Sequence, residues 1–126
     1  DCLFYTIVKN TGMQKVSFTE NLDFSDKKMV TQILLETSFS KEIRILLRKG
    51  QLMKEHKAPF PIIVHMVEGN IDFGVEGTVH VLKQGDMITL AANIPHDLLA
   101  KSDSIVRLTL SKLDAAERVE KVVANS

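Results

Sequence analysis

Short apolar segments separated by turn signals follow one another from residue 29 to residue 110. In one of them Ile43, Ile45 and Leu47 alternate with Glu42, Arg44 and Leu46, which is the period-two pattern of a strand with one buried face. By this criterion strands are predicted at residues 29–36, 42–47, 62–68, 71–75, 78–82, 87–90, 98–100 and 104–110. Strands that are this short and this closely spaced predict an all-β sandwich or barrel.

The segments before and after this series follow other patterns. Residues 6–26 mix polar and apolar positions without a period, which predicts an extended arm with one strand around residues 14–18. Ser111, with Asp114 three residues later, resembles a capping box, so a helix is predicted over residues 111–123. Its apolar face would carry Leu113, Ala116, Val119 and Val123. We therefore predict one domain over residues 1–126, with an arm (about 1–28), a barrel (about 29–110) and a C-terminal helix (about 111–124).

The composition narrows the classes of partner. Lysine and arginine number 16, as do aspartate and glutamate, so the chain has no global basic footprint for nucleic acid. No apolar run approaches the roughly 20 residues that cross a bilayer, so we expect no membrane partner. The single cysteine, Cys2, cannot form an internal disulfide, and the first residues lack the pattern of a secretory signal. We accordingly expect a cytoplasmic location.

Two segments that begin with glycine carry the candidate chemistry. The first contains Gly50, His56 and Gly69, and the second contains the pair Gly85-Asp86 followed by His96. In these residues, and in its strand pattern over about residues 40–110, the sequence resembles the small single-domain members of the cupin superfamily. It departs from the first motif at two positions, with Ala58 in place of the second histidine and Ile62 in place of the glutamate. In the second motif Ala91, Asn93 and Ala100 replace the proline, the glycine and the asparagine.

The resemblance implies a fold and an assembly. Cupins are double-stranded β-helices, small jelly-roll barrels whose interior is a site for ligands. They commonly pair through their outer strands, so the resemblance also implies a homodimer. Within such a barrel His56 and His96 would meet.

The resemblance also raises the question of a metal. In metal-bearing cupins the histidines and the glutamate of the two motifs bind a divalent ion such as iron, manganese, nickel or zinc. Only His56 and His96 remain of that set, and two ligands hold a first-row transition metal weakly. The pair therefore predicts either a residual metal site or two pocket histidines without metal.

The remaining candidate residues are assigned by strand parity. Residues on the inward face of the strands are expected to line a pocket for a partly apolar molecule. With His56 and His96 they are Met53, Ile62, Val64, Met66, Phe73 and Met87. By the same rule His65 faces out of the barrel, and His80 is interpreted as a structural histidine.

Three classes of function are compatible with these residues. The first is binding of a small, partly apolar molecule, with the two histidines as polar contacts. The second is a cupin enzyme, either metal-dependent and of the dioxygenase or isomerase type, or metal-free with a histidine as acid or base. The third is a structural or regulatory dimer whose barrel is a packed core, and large inward side chains that fill the interior would favour it.

Overall fold

The computed structural model describes residues 12–126, and this part of the chain forms nine strands and one helix. In chain order these are β1 (Val30–Glu36), β2 (Ser40–Leu47), β3 (Leu52–His56), β4 (Ile62–Glu68), β5 (Asn70–Val75), β6 (Thr78–Lys83), β7 (Met87–Leu90), β8 (His96–Ala100), β9 (Ser104–Ser111) and α1 (Ala116–Ala124). The eight strands predicted between residues 29 and 110 are all confirmed, and β3 is a strand that the pattern did not predict.

The strands form two antiparallel sheets. The first has five strands in the order β1-β2-β9-β4-β7, and the second has four in the order β3-β8-β5-β6. Their inward side chains form one apolar core, to which β4 contributes Ile62, Val64 and Met66 and β5 contributes Ile71 and Phe73. The structure thus confirms the predicted all-β jelly-roll barrel.

The outer face of β2 is buried as well as its inner face. Arg44 points outward and its guanidinium donates hydrogen bonds to the carbonyl oxygens of Glu20 (2.8 Å) and Asn21 (3.2 Å). Gln14 donates to the carbonyl oxygen of Glu36 over 3.2 Å. The arm therefore crosses the outside of the five-stranded sheet.

The strand predicted around residues 14–18 is absent: these residues have no regular secondary structure. Their backbone groups enter no sheet ladder, and the arm is held by side chains of the sheet instead. The earlier part of the predicted arm, including Cys2, lies outside the described residues.

The C-terminal helix begins later than predicted. Ser111 ends β9, where it pairs with Ser40, and its hydroxyl accepts a hydrogen bond from the amide of Leu113 (3.2 Å). The residue that precedes the helix is Ala115, without a side-chain cap, so the capping-box prediction was wrong. Leu113 is exposed, whereas the rest of the predicted face, Ala116, Val119 and Val123, is buried in the core. No helix within residues 12–126 is both long enough and apolar enough to cross a membrane.

Candidate functional site

His56 and His96 lie opposite each other in neighbouring strands. His56 ends β3, His96 begins β8, and the two are direct partners in the antiparallel ladder. The ladder is irregular between Met53 and His56, and this irregularity separates the buried Met53 from the histidine pair. The sheet register therefore brings together the two histidines that the motifs single out.

The two imidazoles and one phenyl ring form a compact cluster. The centroids of His56 and His96 are 4.3 Å apart, with an angle of 61° between the ring planes. On its other side His96 stacks on Phe73, at 5.4 Å and 16°. This arrangement is the edge-to-face and offset-stacked geometry that ring quadrupoles favour.

Backbone carbonyls fix the tautomer of both histidines. His56 Nδ1 lies 2.7 Å from the carbonyl oxygen of Lys54, and His96 Nδ1 lies 2.9 Å from that of Ile94. A carbonyl oxygen only accepts hydrogen bonds, so each Nδ1 carries the proton and each Nε2 keeps a lone pair. The pair therefore presents two Nε2 atoms that can accept a hydrogen bond or bind a metal.

Both histidines are neutral at physiological pH. Burial is the main cause that lowers the pKa of His56 to about 4, and the electrostatic influence of the neighbouring His96 ring and of Arg118 lowers it further. The pKa of His96 is lowered as well, again mainly by burial and also by Arg118. The hydrogen bonds to Lys54 and Ile94 oppose these shifts because they favour the protonated ring.

Arg118 is a residue near the site that sequence reasoning missed. It lies on α1, and its guanidinium binds both carboxylate oxygens of Asp114, over 3.0 Å and 2.8 Å. Asp114 is itself buried, with 3% of its surface exposed. No motif marks Arg118, because its position depends on where the helix docks against the barrel.

The donor set does not fit a resident divalent metal. Ala58 and Ile62, which stand where metal-bearing cupins have a histidine and a glutamate, are both buried apolar residues. Within residues 12–126 no cluster of three or more histidine, cysteine, aspartate or glutamate side chains could hold a metal ion. Two imidazoles without a carboxylate leave most of the coordination shell of iron, manganese, nickel or zinc unfilled.

A pocket of about 550 Å³ opens beside the cluster, between the edge strands of the two sheets. Phe73 lines this pocket and also stacks on His96, so it lies between the pocket and the histidine pair. His80, the register partner of Phe73, lines the same pocket although it was interpreted as structural. The remaining lining residues belong to β5, β6 and β7 and are Val75, Val79, Val81, Leu82, Ile88, Thr89 and Leu90.

Four of the predicted pocket residues belong instead to the packed interior. Each of them is at most 4% exposed and lies in the core, and none lines the 550 Å³ pocket; they are Met53, Ile62, Val64 and Met66. Of the apolar residues predicted to line a pocket, Phe73 is the one that lines the 550 Å³ pocket. The placement of Met87 inside the barrel was wrong, because Met87 is 63% exposed.

The register explains the error at Met87. Met87 pairs with His65, whereas the next residue, Ile88, pairs with the inward Val64. Both His65 and Met87 therefore lie on the outer face, as the parity rule predicted for His65. Near His65 on that face are the arm residues Val16 and Phe18.

Solved structures with the same fold come from several bacteria. An RmlC-like cupin from Desulfovibrio desulfuricans is 22% identical, with a TM-score of 0.72 over 79% of this chain and 96% of that chain. An RmlC-like cupin from Shewanella frigidimarina is 23% identical, with a TM-score of 0.68 over 84% and 96% of the two chains. A Cupin 2 conserved barrel domain protein from Leptotrichia buccalis is 28% identical, with a TM-score of 0.66 over 74% and 45%.

At the level of sequence, no curated protein is significantly similar to this chain. The family model of the cupin domain, however, matches residues 44–112. This range covers more than half of the 126 residues and includes both glycine-initiated segments with His56 and His96. The chain therefore belongs to the cupin domain family.

Proposed function

We propose that this cupin binds a small, partly apolar molecule in its barrel, with His56 and His96 as the polar contacts. The observation that carries the proposal is the pair of neutral imidazoles, of which His96 stacks on Phe73, a residue that also lines the 550 Å³ pocket. The volume lies within the roughly 300–1,000 Å³ that is typical of small-molecule sites. Neither histidine lines the pocket itself; Phe73 adjoins both, since it lines the pocket and stacks on His96.

The chemistry of the pair indicates what the ligand offers. Each Nε2 keeps a lone pair, so the two rings accept hydrogen bonds from hydroxyl, amide or protonated amine groups. The apolar side chains of β5, β6 and β7 then contact the rest of the molecule. A partly apolar ligand with at least one hydrogen-bond donor suits both the histidine pair and the apolar lining of the pocket.

A metal-dependent enzyme of the dioxygenase or isomerase type is the second candidate. The two Nε2 lone pairs favour it, since metal-bound histidines keep one ring nitrogen free for the ion while the other donates a hydrogen bond. The buried Ala58 and Ile62 oppose it. A structural or regulatory role without ligand is the third candidate, supported by the tightly buried interior around Met66.

The proposed partners follow from the same features. The ligand is a small molecule. Nucleic acid is not part of the proposal, because the charged residues balance to a formal net charge of zero, and neither is a membrane, because no apolar run approaches the roughly 20 residues that cross a bilayer. A homodimer is proposed with it, as the resemblance to small cupins implies. A reducing cytoplasm is proposed as its location, in keeping with the single cysteine of the sequence.

A thermal-shift screen with a library of small, partly apolar compounds tests the ligand-binding proposal. We expect at least one compound to raise the melting temperature of the wild-type protein and to lose this effect in His96→Gln. Lys54→Gln is the matched control, because Lys54 is an exposed residue of β3 and should leave the shift unchanged. A hit whose shift persists in both His56→Gln and His96→Gln would place binding elsewhere and contradict the proposal.

A further inference from the structure

A second pocket lies on the outer face of the five-stranded sheet. Its volume is about 370 Å³, and its walls include Val16 and Phe18 of the arm together with side chains of β1, β2, β4 and β9. We propose that this outer pocket binds a neutral, mainly apolar small molecule that carries a hydroxyl group, with His65 as its hydrogen-bond partner. This site is separate from the one proposed above, because His65 lies in β4 of the five-stranded sheet, whereas His56 and His96 pair in the four-stranded sheet.

The arm wall of the outer pocket is fixed in place. On one side of Val16 and Phe18, Gln14 donates a hydrogen bond to the carbonyl oxygen of Glu36. On the other side, the guanidinium of Arg44 donates to the carbonyl oxygens of Glu20 and Asn21. Because both ends are tied to the sheet, the pocket is part of the folded chain and needs no partner to form it.

Apolar side chains make most of the wall. Val16 and Phe18 of the arm line the pocket together with Leu35 of β1 and Val67 of β4. These four side chains offer no hydrogen-bonding group. A molecule that fills the space between them must therefore be mainly apolar.

The charged floor of the pocket is satisfied within the chain. The carboxylate of Glu42 accepts hydrogen bonds from the hydroxyls of Ser40 and Thr109 and from Arg107, whose Nε is 3.0 Å away. Burial alone would raise the pKa of Glu42, but these hydrogen bonds and the charge of Arg107 lower it below its usual value. Since the carboxylate and the guanidinium compensate each other, the ligand needs no charge of its own.

One polar atom near this floor is left without a partner. Nδ1 of His65 is buried, and among residues 12–126 it neither donates nor accepts a hydrogen bond. Buried polar groups without a partner are uncommon in folded proteins, so this atom indicates a group that the described residues 12–126 do not supply. A hydroxyl can both donate and accept, so it pairs with Nδ1 in either tautomer of the neutral imidazole.

A second copy of the chain is the other candidate for this face. Where the arm crosses the sheet, however, Val16 and Phe18 already cover it, and what remains is a pocket of small-molecule size under the arm. The arm thus favours a small ligand, and pairing of two copies becomes an outcome that the experiment can recognise.

A titration of the full chain with 4-ethylphenol, followed by two-dimensional amide NMR, tests the proposal. We expect saturable shifts at Val16, Phe18 and Val67, and roughly tenfold weaker binding in His65→Leu, since a net hydrogen bond contributes about that factor. 4-Ethyltoluene, which has no oxygen and can neither donate nor accept a hydrogen bond, should bind more weakly than 4-ethylphenol. Met87→Leu is the matched control, because Met87 pairs with His65 on the same face but does not line the pocket.

The same titration distinguishes binding in the outer pocket from binding in the 550 Å³ pocket of the barrel. Shifts confined to Phe73, Val75 and Ile88 would place the probe in the 550 Å³ pocket and overturn the inference. Equal affinity of wild type and His65→Leu would overturn it as well. If the signals of Val16 and Phe18 change with protein concentration but not with the probe, the face is an interface between copies and the inference is wrong. Retention of the outer-pocket shifts in His96→Gln would support it, because that variant alters only the barrel site.

Discussion

The imidazole ring of His56 lies edge-on against that of His96, with centroids 4.3 Å apart and Nδ1 of each ring bound to a backbone carbonyl two residues earlier. Two rings at this distance cannot both carry a charge without strong repulsion in a buried site. The contact therefore depends on both histidines being neutral. The pairing of β3 with β8 thus places two neutral imidazoles side by side, each with an Nε2 lone pair for a ligand.

Stability should fall with acid in a window set by His56. Above pH 6.5 the ring is neutral in both states, so it contributes no pH dependence. Between pH 6.5 and about 4 the unfolded chain binds a proton that the folded chain excludes, so the free energy of unfolding decreases as the pH falls. The slope is at most about 1.4 kcal/mol per pH unit for one histidine. Below about pH 4 the folded ring is protonated too and this contribution levels off.

Urea unfolding at pH 7, 6, 5 and 4 measures this effect. We expect His56→Gln to show a shallower loss of stability than wild type over this range, because glutamine does not titrate. His80→Gln is the control, since His80 is exposed and the structure gives it no buried partner ring among residues 12–126. Parallel curves for wild type and His56→Gln would show that the histidine pair is not the source of the acid sensitivity.

The histidine pair should not retain a transition metal. Two imidazoles without a third protein ligand leave a divalent ion mostly hydrated and weakly held. We expect protein purified without chelator to carry far less than one metal ion per chain by elemental analysis. Added iron, manganese, nickel or zinc should likewise leave the melting temperature nearly unchanged. Near-stoichiometric metal that is lost in both His56→Ala and His96→Ala would overturn this expectation and favour the metalloenzyme.

Most of the barrel could be predicted because strand parity and turn residues are local properties of the sequence. The alternation in β2 and β4 is visible in the residues themselves, and the two motif histidines do meet. β3 was missed because LMKEH has neither strict alternation nor β-branched residues. Met87 was misplaced because inward and outward sets in a four-residue strand depend on the ladder with β4, which the sequence of β7 alone does not specify.

The location of the empty space could not be predicted in the same way. Met53 and Met66 are inward as parity requires, but whether inward side chains leave a pocket depends on how all of them fill the interior. The inward side chains pack tightly where the helix contributes to the core, and they leave space between β6 and β7. Asp114 was likewise read as a capping residue, whereas the docked helix makes it a buried partner of Arg118.

The Asp114–Arg118 pair predicts a strong dependence of stability on both partners. Arg118→Met would leave the Asp114 carboxylate, whose side chain is 2% exposed, without its cation, and we expect a loss of about 2–4 kcal/mol in the free energy of unfolding. The double variant Asp114→Asn/Arg118→Met removes the buried charge as well and should recover a large part of that loss. Urea unfolding of both variants measures the difference. Equal losses would mean that the arginine contributes through packing and not through its charge.

Gly69 should be far less tolerant of substitution than Gly77, although both have a left-handed backbone, with φ of 85° and 79°. A Cβ at Gly69 would lie 2.5 Å from the carbonyl oxygen of Asp103 and 2.8 Å from the Cα of Ser104, so the backbone itself would have to move. A Cβ at Gly77 would meet nothing within 4 Å. We therefore expect Gly77→Ala to cost about 1–2 kcal/mol, the strain of the left-handed conformation, and Gly69→Ala to cost clearly more. Chemical unfolding of the two variants at pH 7 compares them directly, and a similar loss in both would show that the close approach of the turn between β4 and β5 to Asp103 and Ser104 can relax without cost.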